Sequence, residues 1–383
     1  MRRLFPLVAA VILTDTMFYS AITPLLPGYA DDLGLSKAAA GVLSASYAAG
    51  TLIAAIPAGF LAARIGFRAT MLVGLGLLGV SSVAFAFADS VAVLDTARFA
   101  EGVGGACAWT GGLGWLLAAA PADRRGEMIG AALAAAIFGI LLGPVIGGIA
   151  TVTGPEVVFC AVAVVAAAFA AWVVATPGIP PGGIPGVRVV VAAIFSAPVI
   201  FAFWLVVLPS VLSGAFDVLI PLRLDDLGAS GVGVGAAFFA AAAIEAFTAP
   251  AIGKLSDRRG RLVPIRAGLI ACPIAALILP VPATIVLLAG ALIVVVLAMS
   301  LIWTPAMALL SDNAEAAGLD LAFASALVSL AWAGGQVIGG SGFAAFAGAT
   351  TDATAYALIA GLFCVTLVAV FARRRHEPLA QST

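Results

Sequence analysis

Long apolar stretches follow one another along this chain, separated by short polar turns. Segments of roughly 20 apolar residues, the length an α-helix needs to cross the ~30 Å hydrocarbon core of a bilayer, lie at about 5–27, 38–62, 69–88, 92–120, 127–152, 156–176, 198–222, 230–252, 262–282, 284–310, 320–347 and 352–372. The pattern predicts an all-α integral membrane protein with twelve transmembrane helices. Spread over 383 residues, each helix with its loop takes about 32, which leaves no room for a soluble catalytic or nucleic-acid-binding domain.

The pattern also repeats itself. Pro27, Asp31, Asp32, Leu33, Gly34, Ser36 and Gly41 recur 194 residues later as Pro221, Asp225, Asp226, Leu227, Gly228, Ser230 and Gly235, and Gly59, Leu61, Arg64 and Gly66 recur without a gap as Gly253, Leu255, Arg258 and Gly260. A duplicated half predicts two pseudo-symmetric six-helix bundles, residues 1–176 and 198–372. Two like-oriented halves are the build of a secondary transporter with its substrate between them. The stretch 177–197 holds Pro177, Pro180, Pro181 and Pro185, cannot stay helical for long, and reads as a linker on the cytoplasmic side. Residues 373–383 read as a basic cytoplasmic tail.

Composition agrees with a bilayer as solvent: 63% of residues are hydrophobic and 10% charged, outside the range of soluble domains. The net charge of −1 says little, but its distribution says more. Arg2, Arg3, Arg64, Arg68, Arg124, Arg125, Arg188, Lys254, Arg258, Arg259, Arg261, Arg266, Arg373, Arg374 and Arg375, fifteen of the 18 cations, fall on the side of the N-terminus. By the positive-inside rule both termini are cytoplasmic, in a plasma or inner membrane. Met1-Arg2-Arg3 and the apolar run after it read as a first span rather than a signal peptide, because Asp15 interrupts the run.

Cys107, Cys160, Cys272 and Cys364 all lie in apolar stretches without CxxC spacing and read as small buried side chains. The single histidine, His376, is in the tail, so no metal or cofactor is expected. Gly74, Gly76 and Gly79 spell GxGxxG, but no strand precedes them and close helix packing accounts for them; Gly102, Gly104 and Gly105 read the same way.

Ionisable groups inside a membrane cost roughly 2.5–3.5 kcal/mol at the helix centre, so each is functional or paired. Asp15, Arg98, Glu101, Asp217 and Glu245 form this set, with Asp95 and Arg223 near the outer interface. Asp95, Arg98 and Glu101 are spaced i, i+3, i+6, so a local ion-pair ladder and a functional role are both open for them. Asp15 and Asp217 have no such neighbour and are the foremost binding candidates. Phe18 and Tyr19, three and four residues after Asp15, read either as an aromatic wall for an organic cation or as core.

The repeated loops carry a resemblance. Gly253-Lys254-Leu255-Ser256-Asp257-Arg258-Arg259-Gly260 and its mate from Gly59 through Arg64 to Gly66 resemble the signature loop of the major facilitator superfamily, in which the acid caps a neighbouring helix and the charges latch the outward-facing state. The second copy, with Asp257, is complete; the first has Ala63 where the family usually has Asp. Arg98 to Ala106 resembles the family's Arg-and-Gly motif on the fourth helix. Gly139, Gly143, Pro144, Gly147 and Gly148 on the fifth resemble the motif associated with antiporters, with Gln336 to Gly340 as a degenerate mate. Gly139, Gly143 and Gly147 at i, i+4, i+8 make one smooth face for a partner helix. Asp15 before Pro24 and Pro27, and Asp217 before Pro221, resemble the first and seventh helices of vesicular monoamine transporters and related drug:proton antiporters, where both acids face the cavity. The acids of their tenth and eleventh helices are replaced here by Ser300 and Ser325.

The resemblance implies a monomeric, proton-coupled exporter of small amphipathic or cationic compounds working by alternating access. Its partners are a small-molecule substrate, protons and the lipid bilayer, with no nucleic acid and no cofactor. A symporter or uniporter of a small metabolite is the alternative on the same fold. A membrane enzyme or receptor is disfavoured by the lack of an intramembrane His, a cysteine cluster or a sizeable loop.

Overall fold

The computed structural model describes residues 4–120, 125–179, 194–319 and 321–374. Arg2, Arg3, Arg124, Arg188, Arg375, His376 and most of the expected linker lie outside the described residues. The helices are α1 (Leu4–Ala21), α2 (Leu26–Leu33), α3 (Lys37–Ile65), α4 (Phe67–Ala86), α5 (Val91–Ala119), α6 (Arg125–Thr153), α7 (Pro155–Ala175), α8 (Ala197–Asp226), α9 (Gly231–Arg259), α10 (Leu262–Ile278), α11 (Ile285–Ala316), α12 (Leu321–Val337), α13 (Ala344–Ala349) and α14 (Asp352–Arg374), with a π-helical turn at Ile338–Phe343 between α12 and α13.

Ten spans are long and apolar enough to cross a membrane, α12 to α13 counting as one. Two more complete the twelve among the described residues. At 17 residues α10 is a short apolar helix. The 29-residue α5 is long enough but diluted by six glycines and by Asp95, Arg98 and Glu101. Two spans differ from the sequence expectation. The first stops at Ala21, and after a turn α2 begins near Pro27, since proline amides donate no hydrogen bond. The eleventh is interrupted by the π turn, where Gly339, Gly340 and Gly342 offer no side chains to hold an α register.

The duplication is visible in the backbone. Ser36 and Ser230 both cap helix N-termini, accepting from the amides of Ala39 and Gly233 at 3.2 Å. Gly66 and Gly260 both turn the chain at φ +85°, a conformation that costs glycine alone little.

In one half α4 packs on α5 and α7, α1 on α6, and α3 on α5; in the other α8 packs on α11 and α12, α11 on α9 and α10, and α10 on α14. The halves meet through α3 against α12, the π turn and α13, and through α6 against α9. These seams tighten at the end that holds Asp31, Asp32, Asp225 and Asp226, the acidic end. A Cβ on Gly41 would lie 2.8 Å from Ala344 Cβ, one on Gly235 would lie 2.5 Å from the Pro144 carbonyl oxygen, and Lys37 pairs with Asp352 at 2.6 Å. Toward the opposite, basic end the packing is looser: α9 has no buried residue between Ala241 and Ile252, and a Cβ on Gly59 or Gly253 would meet nothing within 4 Å.

Candidate functional site

At mid-depth, α1 carries Asp15 into the first bundle, where it is 1% exposed. Its Oδ2 accepts from Tyr47 Oη on α3 at 2.9 Å and from Trp109 Nε1 on α5 at 3.0 Å. Its Oδ1 is buried without a hydrogen-bond partner. Gly105 makes the space, since a Cβ there would stand 2.9 Å from Oδ1. The glycines of the fourth span thus seat a carboxylate as well as pack helices.

Above Asp15 lies an aromatic layer. The Tyr19 ring centroid is 4.9 Å from Tyr47 and 5.2 Å from Trp332 of α12. Gln336 Nε2 donates to Tyr19 Oη at 2.9 Å and to Asp217 Oδ2 of α8 at 3.4 Å. One hydrogen-bonded chain therefore joins Tyr19 in the first half to Asp217 in the second. Of the two readings left open for Phe18 the core one holds: it packs against Phe159, 6.0 Å between centroids, because residues three apart on α1 diverge enough to face different neighbours.

Arg98 is also 1% exposed. Its Nη1 donates to Glu101 Oε2 at 2.9 Å and to the Phe18 carbonyl at 3.3 Å, and Nη2 donates to the Tyr19 carbonyl at 3.0 Å. These carbonyls belong to the last turn of α1, which lacks helical donors, so a cation suits the position. The guanidinium also sits 5.3 Å from the Tyr47 ring centroid. Of the three-member ladder only the Arg98–Glu101 rung forms; Asp95 Oδ1 is buried without a partner. Glu245 lies apart, half-buried on α9, and accepts from Ser300 Oγ at 2.8 Å.

The antiporter-like glycine face meets α1 of its own half. Gly139, Gly143 and Gly147 abut the backbone of Leu13, Met17 and Ala21, and Thr16 and Ser20 of α1 donate to the Ala136 and Ile140 carbonyls at 3.0 and 3.2 Å. Pro144 and Gly148 look the other way, across the seam to Gly235 and Val232 of α9. In the signature loops, Asp257 pairs with Arg261 at 2.5 Å, and Arg261 reaches Asp312 at 3.4 Å. The expected cap on a neighbouring helix is not made: the i, i+4 spacing puts Arg261 within reach first. Arg64 and Arg258 are exposed. Cys107 and Cys272 are buried as expected, but Cys160 is half-buried and Cys364 exposed, since apolar neighbours in sequence do not distinguish a lipid-facing from a protein-facing position. Among the described residues no cluster of His, Cys, Asp and Glu could hold a metal.

Sequence reasoning missed Tyr47, Trp109, Trp332 and the Gln336 side chain. Gln336 carried a signal: of the chain's glutamines it alone falls in an apolar stretch.

Comparison with known proteins places this architecture. A probable vesicular acetylcholine transporter-B of Danio rerio is 35% identical over 39% of this chain and 32% of its own length, and a synaptic vesicular amine transporter of Mus musculus is 33% identical over 35% of this chain and 26% of its own. The aligned stretch thus spans about a third or less of these relatives. In fold, the chain is similar to the crystal structure of a bacterial homolog of the human lysosomal transporter Spinster in an inward-facing, unoccupied conformation, with a TM-score of 0.74 and 14% identity over 96% of this chain and 94% of that one. The sequence profile of the Major Facilitator Superfamily matches residues 8–340, and with twelve spans among the described residues the chain belongs to that family of transporters, not to an enzyme class.

Proposed function

We propose that this transporter is a proton-coupled exporter, exchanging protons for small amphipathic or cationic compounds by alternating access. The observation that carries the reading is Asp15: one carboxylate oxygen is held by Tyr47 and Trp109 while the other is buried and unpaired. Burying such a charge is costly unless something neutralises it. A proton on Oδ1 does so, and so does an organic cation against the Tyr19, Tyr47 and Trp332 rings; the two exclude each other, and exchange follows from the competition. Asp217, tied through Gln336 to Tyr19, is the second proton or cation acceptor and reports the state of one half to the other. Arg98 and Glu101 hold the end of α1 that carries the site, and Glu245 with Ser300 extends the polar lining of the second half.

Residues 1–176 and 198–372 rock about this layer in the proposal, with both termini cytoplasmic and the protein in the plasma or inner membrane. On that orientation the basic end, where the packing is looser, faces the cytoplasm and is the loading side. The relatives named for amine and acetylcholine transport support a cationic substrate.

The test uses proteoliposomes and tetraphenylphosphonium as the probe cation. Asp15→Asn keeps the shape and removes the titratable group, so cation-induced proton release vanishes while the protein still folds. Undiminished pH-driven transport by Asp15→Asn would overturn the assignment and pass the role to Asp217 or Glu101.

A further inference from the structure

A cavity of about 750 Å³ opens at the acidic end, where Lys37 of α3, Arg223 of α8, and Asp352 and Tyr356 of α14 line it beside an apolar wall that includes Leu219 and Ile220. Its chemistry differs from that of the central site. Two cations face one carboxylate, on an end of the molecule that is otherwise acidic. Lys37 neutralises Asp352 at 2.6 Å, which leaves the Arg223 charge unmatched; its guanidinium makes no ion pair among the described residues. Tyr356, 1% exposed, contributes a hydroxyl with no hydrogen-bond partner. The first turns of α3 and α14 also border the space. Side chains cap one amide of each, Ala39 by Ser36 and Thr354 by Thr351, and the remaining first-turn amides favour an anion.

We propose that this cavity binds a phosphate group, from a phospholipid headgroup or a free phosphate ester. A phosphate carries negative charge and several acceptor oxygens, which suits a lining that includes the unpaired Arg223 guanidinium, the Lys37 ammonium and the unpartnered Tyr356 hydroxyl. The cavity exceeds the size of a bare anion, and its apolar wall suits the carbon skeleton of an ester. The lining comes from both halves and exists as one site only while the acidic end is closed. An occupant therefore favours that conformation over its opposite, so that the phosphate acts as a modulator of the transport cycle rather than as cargo.

The experiment is a thermal-shift titration of the purified full chain in a maltoside detergent, which contributes no phosphate. One arm adds sodium phosphate against sodium chloride of equal ionic strength; the other adds dihexanoyl phosphatidylglycerol against dihexanoylglycerol. A saturable rise in melting temperature is expected in at least one arm: in both if a free phosphate suffices, in the lipid arm alone if the headgroup is the source. Arg223→Gln is expected to raise the half-saturating concentration at least tenfold and Arg223→Lys less than threefold. No saturable rise in either arm, or equal half-saturation in wild type and Arg223→Gln, overturns the proposal. If Arg223→Gln does not fold, Tyr356→Phe decides: a threefold or greater weakening supports the site, and unchanged half-saturation overturns it.

Discussion

A single methyl group at Gly41 should push the transporter toward its opposite conformation. Gly41 of α3 lies against the π turn across the seam between the halves; a Cβ there would press on the Gly340 carbonyl oxygen and stand 2.8 Å from Ala344 Cβ and 3.2 Å from the Gly340 carbonyl carbon. Two of those atoms are backbone, which cannot rotate aside. Overpacking of this kind costs about 1–3 kcal/mol. Because the contact joins opposite halves, the cost falls on the conformation closed at the acidic end and is absent once that end opens. At 1.4 kcal/mol per tenfold, Gly41→Ala raises the open-to-closed ratio by roughly 5- to 150-fold. The assay places a reporter thiol at Ala45, which is 5% exposed and 3.3 Å from where a Gly340 Cβ would stand, in a background lacking Cys107, Cys160, Cys272 and Cys364. The rate of reaction of Ala45→Cys with a membrane-impermeant maleimide added at the acidic end then tracks the open population, and Gly41→Ala should accelerate it, by up to the same factor while the open state is the minor one. An unchanged rate in a folded Gly41→Ala variant would refute the reasoning, because it would mean that the contact persists when the halves rock or that the seam slides to admit the methyl group.

Gly143→Ala provides the contrast: its Cβ would stand 2.5 Å from the Met17 carbonyl oxygen, but α1 and α6 belong to one half, so about 1–3 kcal/mol is lost from both conformations alike. Melting temperature falls, while Ala45→Cys labelling keeps its wild-type rate. Arg98→Gln leaves Glu101 buried without its cation, a change worth about 3–5 kcal/mol, and should abolish folded expression; Arg98→Gln with Glu101→Gln recovers part of it, as yield after size-exclusion chromatography shows. The half-exposed Lys37–Asp352 pair, with side chains 36% and 22% exposed, contributes no more than about 1 kcal/mol, so a double-mutant cycle on Lys37→Gln and Asp352→Asn gives a small coupling that shrinks in high salt. A reporter fused after Thr383 is active in the cytoplasm and silent as a periplasmic reporter; the reverse result would mean an odd number of spans.

Twelve spans and a duplicated half were legible in the chain because both rest on local properties. Twenty apolar residues can do little but cross a bilayer as a helix, and Ser36 with Ser230 or Gly66 with Gly260 repeat because each turn makes its own demand on the backbone. Asp15, Asp217, Arg98 and Glu101 stood out for the same reason: a charge in an apolar run is anomalous whatever surrounds it. The identity of their neighbours was not local. Tyr47, Trp109 and Trp332 are ordinary aromatics in their own helices, and only the packing of α3, α5 and α12 around α1 makes them partners of Asp15 and Tyr19.

The direction in which each helix faces was decided by tertiary structure. On a soluble helix a polar stripe reveals the outward face, but here lipid and protein interior are equally apolar. Cys364 at the surface and Cys272 in the core carry the same sequence signature. So do Gly143, which packs within its half, and Gly41, which packs across the seam. Small residues announce a close contact without naming the partner. Whether such a contact is a weld within one bundle or a surface that must part in every cycle depends on helix rotation, which only the assembled bundle sets.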